Sequence, residues 1–291
     1  MTRLRVEAHA KVNLDLRILG RRPDGYHDIE TLFQAVDLHD VLEVDRAGAG
    51  VQLEVQGEDV GPVQDNLVAR AAREFLAAAG RAWEGVHIRL EKRIPAGAGL
   101  GGGSSDAAAT LRALDEIFPG AVPPGRIAAI AADLGSDVPF FLGASPFAVG
   151  RGRGEVIEAL MPLPALSGVV VLPSVRVATA DAYRALARSR EGRPPSVAPP
   201  FVAPTDWATL ATAATNDFES VVPTAYPPVA DALSALRATN PFLALLSGSG
   251  SASFALYAKE GEAGGATAAL SGSADLRVFS VRTLSAWPDR A

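Results

Sequence analysis

The chain has 291 residues, no cysteine, and a formal net charge of −6 from 27 lysines and arginines against 33 aspartates and glutamates. These figures exclude disulfides, thiolate metal sites and cysteine nucleophiles, and they disfavour nonspecific binding to nucleic acid or to an anionic membrane. The length suits two packed domains, and a composition 48% hydrophobic and 21% charged is that of a folded globular protein.

The first residues, MTRLRVEAHAKVNLDL, hold no continuous apolar stretch of the signal-peptide kind, and no apolar run approaches the roughly 20 residues that span a bilayer. The expectation is a cytoplasmic protein. Leu4, Val6, Ala8, Ala10, Val12, Leu14, Leu16 and Ile18 alternate with Arg5, Glu7, His9, Lys11, Asn13, Asp15 and Arg17. That period of two predicts one long half-buried strand, or two joined by a bulge. Residues 20–25, GRRPDG, read as a turn, and Tyr26 to Val44 as extended with a break near Asp37 to Asp40. Asp65 or Asn66 is placed to cap a helix from Leu67 to about Ala79, closed by Gly80. Val86, Ile88 and Leu90 alternate in a strand that ends at Pro95. A glycine-rich loop follows, then a helix from about Ser105 to Phe118 and another from about Arg126 to Leu134, stopped by Gly135. Phe147 to Leu160 reads as a strand or hairpin.

The pattern pauses at residues 161–167, MPLPALS, and we place a domain boundary there, giving 1–160 and 161–291. In the second part, Gly168 to Leu172 is a short buried strand, and Thr179 is placed to cap a helix carrying Tyr183 and Leu186. Residues 188–206, rich in proline, arginine and serine, read as an exposed, mobile loop. The remainder is helix, helix, a strand from Phe242 to Tyr257 interrupted by SGSGS, helix and a final strand. There is no internal repeat. Mixed helices and strands in two blocks predict two α+β domains.

The segment with the most chemistry is residues 95–105: Pro95, Ala96, Gly97, Ala98, Gly99, Leu100, Gly101, Gly102, Gly103, Ser104 and Ser105. Between a strand and a helix, such glycines let the backbone take positive φ angles and approach a ligand. Amides of the loop and of the first helical turn then converge, with the helix dipole behind them, on a site suited to a triphosphate. Ser104 and Ser105 are placed to cap the helix, and either hydroxyl can face a phosphate or its magnesium. A Walker A loop would carry lysine and serine or threonine after its last glycine, where Ser104, Ser105 and Asp106 stand, and the dinucleotide fingerprint lacks its spacing.

Four segments, AHAKVNLDLRILGRRPDGYHDIETLFQ, GLGGGSSDAA, DLGSDVPFFL and LLSGSGSASF, stand in the order found in the GHMP kinase superfamily, which the chain resembles from Ala8 to Tyr257. Within it, the first two resemble the branch that phosphorylates 4-diphosphocytidyl-2-C-methyl-D-erythritol in non-mevalonate isoprenoid synthesis. The resemblance implies an N-terminal domain of the ribosomal-protein-S5-domain-2 type, a ferredoxin-like C-terminal domain and a site between them. It implies transfer of a phosphoryl group from ATP, with Mg2+, to the 2-hydroxyl of that substrate.

The resemblance also assigns roles. Lys11 and Asp137 match the family's catalytic pair, and phosphoryl transfer to an alcohol does need a proton acceptor and a cation near the developing charge. Tyr26 and His27 match the pair that meets the cytidine, by packing and by hydrogen bonding, and Tyr183 matches an aromatic residue that sandwiches the base. Asn13 and Thr179 are placed on the substrate side. Asn66 and Lys92 match positions near adenine and ribose, although Asn66 also reads as a helix cap and Lys92 as a surface charge. Gly248, Ser249 and Gly250 match the third family motif, facing the phosphate loop across the cleft. Asp217 lies in a family-like segment with a structural reading at least as good. No glutamate ligand for the metal is found, so the ion is expected on phosphates, water and one of Ser104 or Ser105. The partners expected are small molecules, not nucleic acid or membrane, with the chain a monomer or weak homodimer. Two alternatives stay open: another GHMP kinase, of the homoserine or mevalonate type, and a catalytically silent nucleotide-binding sensor.

Overall fold

In the computed structural model, which describes residues 3–58, 60–191 and 202–288, the alternating N-terminal segment forms one strand, β1 (Leu4–Arg21), antiparallel to β2 (His27–Arg46). β2 is long enough to serve several neighbours. β1 runs along one of its edges, while β4 (Val86–Lys92) and β5 (Phe147–Gly152) share the other, on residues 41–46 and 29–34. β3 (Val51–Gly57) adds parallel to β4, and β6 (Val156–Ala159) pairs antiparallel with β5. Phe147 to Leu160 is therefore a hairpin.

The break expected near Asp37 is a slip in register rather than an end of the strand. His9 pairs with His39, but Lys11 pairs with Ala35, so β2 carries extra residues opposite Ala10. Two contacts hold this irregularity. The Asp37 carboxylate accepts from the Arg282 amide at 2.7 Å, and the Ala35 carbonyl accepts from the Leu284 amide at 2.9 Å.

Helices α1 (Leu67–Ala78), α2 (Gly102–Ile117) and α3 (Pro124–Leu134), with a short turn α4 (Val138–Leu142), cover this sheet. Their shared core holds Phe75, Ile88, Leu111, Leu114 and Phe140. Asn66 caps α1 as expected, its side chain accepting from the Val68 amide at 2.9 Å. α2 starts three residues earlier than expected. Its N-cap is Gly101 in the left-handed region (φ 71°), and no side chain caps it, so the serine caps proposed from sequence do not form. The helix begins inside the glycine run because Gly101 makes the turn that Ser104 was expected to make.

The second block is a four-stranded antiparallel sheet in the order β10 (Leu276–Arg282), β7 (Ser167–Pro173), β9 (Ser253–Tyr257), β8 (Leu243–Leu246). Helices α5 (Thr179–Ser189), α6 (Trp207–Ala213), α7 (Val222–Ala225), α8 (Pro227–Arg237) and α9 (Glu260–Leu270) complete it. Thr179 does not cap α5; Ala178 holds that position without a side-chain bond. Residues 192–201, most of the expected proline-rich loop, lie outside the described residues.

Ala10, Val12 and Leu14 of β1 pack in one apolar layer with Val170, Leu245 and Phe254 of the second sheet. The opposite face of β1 is not solvated either. His9, Lys11, Asn13 and Asp15 are each buried, which corrects the half-buried reading. After β10 the chain returns to the first block, where Trp287 is buried against Phe140 and Phe141 and donates to the Gly143 carbonyl at 3.0 Å. No helix among the described residues is long and apolar enough to cross a membrane.

Candidate active site

Four anchors fix the glycine-rich loop. The Lys11 amide donates to the Leu100 carbonyl at 2.9 Å. The Ser247 hydroxyl donates to the Gly99 carbonyl at 2.9 Å, and the Ala252 amide to the Ala98 carbonyl at 3.1 Å. Gly99 has φ +82°, and a Cβ there would lie 2.1 Å from the Ser247 carbonyl oxygen. The SGSGS loop therefore touches the phosphate loop directly instead of facing it across a gap.

The fourth anchor lies beneath the start of α2. Lys92 is buried and holds two carboxylates, Asp40 from β2 and Asp106 from α2, the latter at 2.9 Å. Asp40 also accepts from the amides of Arg93 and Ile94. Burial opposes the Lys92 ammonium, but Asp106 and Asp40 outweigh it and hold its pKa above the ordinary lysine value. Burial, with the adjacent Asp40 carboxylate, pushes the Asp106 carboxyl well up, against the pull of Lys92. A Cβ on Gly102 would meet the Lys92 ammonium at 2.8 Å. Lys92 is thus neither a surface charge nor open to a ribose; it is the strut under the loop. Asn66 is engaged as the cap of α1.

Lys11 is the second buried ammonium. Its stem packs under Gly101, where a Cβ would lie 2.9 Å from Lys11 Cγ. Its Nζ donates to Asn13 Oδ1 at 2.5 Å and lies 3.5 Å from Asp137 Oδ2. Asn13 Nδ2 donates to the Thr31 hydroxyl at 2.8 Å, which donates to the Asp15 carbonyl, and this chain aims the Asn13 oxygen at Lys11. Burial lowers the Lys11 pKa, with Asp137 pulling the other way. Asp137 stands at the N-cap position of α4 but makes no capping bond, leaving its carboxylate for Lys11.

These groups open on a cavity of about 810 Å³ between the two blocks. It brings together Lys11, Asn13, Gly99, Gly101, Asp137 and Gly248, which lies against Asn13 and Gly99, with Tyr26, His27, Thr179, Tyr183 and Ser249. Thr179 and Ser249 share a hydrogen bond of 3.0 Å. The aromatic arrangement differs from the expected one. Tyr183 stacks on His27, with ring centroids 4.5 Å apart and planes at 21°. Tyr26 is 54% exposed beneath the Arg153 guanidinium. Burial, with Arg21 and Arg190 nearby, lowers the His27 pKa and favours the neutral ring. Burial, then Asp137, pushes the Tyr183 hydroxyl up to about 12.

Other expected residues lie elsewhere. Pro95, Ala96, Gly97 and Ala98 line a second cavity of about 250 Å³ with Arg176, Asp275 and Arg277, on another side of the loop. Asp217 is structural: its carboxylate accepts from the Ile18 amide at 2.6 Å and pairs with Arg190 at 2.7 Å. Of the two serines, Ser105 is buried and Ser104 half-exposed, its hydroxyl close to Gly135 in the loop that carries Asp137. Arg21, Ser136, Arg153 and Arg184 line the main cavity without having been singled out. The signal for two of them was present, since Arg21 and Arg153 stand at glycine-flanked hairpin ends.

Known proteins resemble this chain in sequence and fold. Models of the GHMP kinases N terminal domain and GHMP kinases C terminal match residues 66–144 and 198–274. The 4-diphosphocytidyl-2-C-methyl-D-erythritol kinase of Pelotomaculum thermopropionicum is 44% identical over 257 residues, 86% of this chain and 88% of the relative. A crystal structure of 4-(cytidine 5'-diphospho)-2C-methyl-D-erythritol kinase superposes with a TM-score of 0.80 at 38% identity, covering 96% of this chain and 99% of that one. Homoserine kinase from Cytophaga hutchinsonii reaches a TM-score of 0.68 at 18% identity, over 96% and 94% of the two chains, a likeness of fold alone.

The Lys92 strut has a pH signature. Asp106 has a folded-state pKa above its unfolded value. It therefore contributes its stability fully below about pH 4, the unfolded range, and loses it as the pH climbs through the raised value. Asp106→Asn escapes that loss. In urea melts across the acid-to-neutral range, the variant should gain on the wild type as the pH rises. A difference that stays flat, or moves against the variant, would contradict the arrangement.

Proposed function

The chain belongs to the 4-diphosphocytidyl-2-C-methyl-D-erythritol kinases, a branch of the GHMP kinases, and from that membership we infer that it is an ATP-dependent kinase that phosphorylates the 2-hydroxyl of 4-diphosphocytidyl-2-C-methyl-D-erythritol and releases ADP. The step belongs to the non-mevalonate isoprenoid pathway. The observation that carries this reading is the presence of three features along one cavity: Gly99 and Gly101 of the loop that leads into α2, the Lys11–Asp137 pair at 3.5 Å, and the His27–Tyr183 stack.

The first amides of α2 have no partner within the helix and carry its positive dipole end, so they receive the triphosphate of ATP. Lys11, fixed by Asn13 and Gly101, faces the transferred phosphoryl group and offsets the charge spread over its oxygens. Asp137 orients the substrate hydroxyl and accepts its proton as the new O–P bond forms and the bond to ADP breaks. Asn13 acts on the reaction through Lys11.

The residues at hand suit a magnesium ion held mainly by phosphates. Asp40 and Asp106 are spent on Lys92, which leaves the half-exposed Ser104 hydroxyl and the edge of Asp137 as protein groups near the phosphate site. Magnesium keeps several waters and takes few protein ligands in such sites. When bound, it neutralises phosphate charge.

At the far end, a neutral His27 both donates and accepts, which suits the cytosine edge, while Tyr26 and Tyr183 offer faces for the ring. The His27–Tyr183 stack opens to admit the base. Arg21, Arg153 and Arg184 supply positive charge for the substrate diphosphate. A homoserine or mevalonate substrate would leave this aromatic end unused. The net charge of −6 supports small-molecule partners over nucleic acid, and ATP as donor supports a cytoplasmic site of action.

ADP release measured on a panel of alcohols tests the substrate. Turnover with the cytidine diphosphate compound alone is expected, and turnover with homoserine or mevalonate instead would overturn it. Asp137→Asn should lower kcat by about 10²–10⁴-fold with nucleotide affinity by calorimetry unchanged; near-wild-type turnover would remove Asp137 from the chemistry. Tyr183→Ala should raise KM for the cytidylyl substrate about 10-fold, the worth of one stacked base, while KM for ATP holds. Equal effects on both would remove Tyr183 from base recognition.

A further inference from the structure

The proposed chemistry begins on β1 at Lys11. Further back along the same strand lie His9 and Glu7, and directly across the β1–β2 ladder from His9 stands His39. The kinase reaction uses none of the three. His9 Nε2 lies 3.5 Å from Glu7 Oε2, and His39 Nε2 lies 3.5 Å from Glu7 Oε1. Each residue brings one ligand atom to within 4.8 Å of the other two.

These separations are long for hydrogen bonds, whose N···O distances centre on about 2.9 Å. Ligands held about 2.1 Å from a tetrahedral zinc ion stand about 3.4 Å from one another. The two 3.5 Å separations end on different oxygens of Glu7, and one ligand atom from each residue lies within 4.8 Å of the other two, so turning the carboxyl and the imidazoles closes the triangle.

The outer contacts point the same way. His39 Nδ1 lies 2.7 Å from the Asp37 carbonyl. A hydrogen on that nitrogen is donated to the carbonyl, which fixes the ring with Nε2 facing the Glu7 carboxylate. The bond to a backbone carbonyl is the support that metal-ligating histidines use. Trp287 packs on His9, with ring centroids 6.3 Å apart. Glu7 and His39 keep 26% and 24% of their side chains exposed, which leaves an entry path. One competing cation is Arg5, whose Nη1 lies 3.9 Å from Glu7 Oε1 on a side chain 57% exposed. Such an exposed pair is weak.

We propose that Glu7, His9 and His39 form a site for one borderline divalent transition-metal ion, of the zinc or cobalt class, that cross-links β1 to β2 beside the catalytic lysine. Two imidazoles and one carboxylate favour such an ion over magnesium or calcium, and a fourth position stays open to water. The site is distinct from the magnesium that accompanies ATP.

The test uses tag-free, full-length protein treated with a chelator, then titrated with cobalt chloride or zinc chloride alone, without nucleotide. The expected result is one ion per chain, the visible absorption of four-coordinate cobalt, and quenching of tryptophan fluorescence through Trp287. His39→Ala and Glu7→Gln, both at partly exposed positions, should each weaken binding by about 10-fold or more. His87→Ala should leave it unchanged, because His87 pairs with Glu54. Wild type without a stoichiometric ion, or His39→Ala and Glu7→Gln variants that bind as wild type does, would overturn the site.

Discussion

The site depends on one close approach, that of the phosphate loop to the SGSGS loop at Gly99. With φ +82° and no room for a Cβ, Gly99 lets the Ser247 carbonyl and hydroxyl lie against the main chain. The Ala252–Ala98 hydrogen bond extends the contact. A flexible glycine segment is held still by the second block of the chain, and the amides that open α2 are thereby aimed without help from a ligand. The same contact brings Gly248 and Ser249 to the cavity wall. Asn216 ties that wall back, donating to the Leu246 and Gly248 carbonyls at 2.8 and 2.9 Å, while its neighbour Asp217 holds the Ile18 amide of β1.

Two buried lysines flank the start of α2, and their surroundings divide the work. Lys92 meets two carboxylates and has no charge to spare, so it serves as a strut. Lys11 meets one half-exposed carboxylate at 3.5 Å and one amide oxygen. Burial destabilises its ammonium, and Asp137 offsets that only in part. Losing the strut would leave the Asp40 carboxylate buried without its cation, a cost of about 3–5 kcal/mol for a broken buried pair. Lys92 thus holds the start of α2 in place beside Lys11.

The sequence makes local features legible and long-range ones obscure. The period of two in β1, the Asn66 cap and the strand–loop–helix order at 86–117 are each set by neighbours within a few residues. Gly101 displaced the serines as the start of α2 because its positive φ is decided by packing against Lys11 and Phe141, which are distant in the chain. Lys92 read as a surface charge because its two partners lie 52 and 14 residues away, on β2 and α2. The polar face of β1 is buried because it lies in the cleft between the two blocks, a fact that no alternation of residue types reveals. The return of Trp287 to the first core is equally remote from any local signal. Resemblance supplied Lys11 and Asp137; neither would stand out from a strand lysine and a turn aspartate by composition alone.

The central claim is that the amides at the start of α2 grip the triphosphate and present its end to Lys11 and Asp137. A crystal structure with a non-hydrolysable ATP analogue tests it most directly. The account predicts the phosphates within hydrogen-bond reach of the Gly101–Ser104 amides, with the terminal phosphoryl group beside Lys11 Nζ in the larger cavity. Phosphates lodged instead in the smaller cavity bounded by residues 95–98, Arg176 and Arg277 would contradict it.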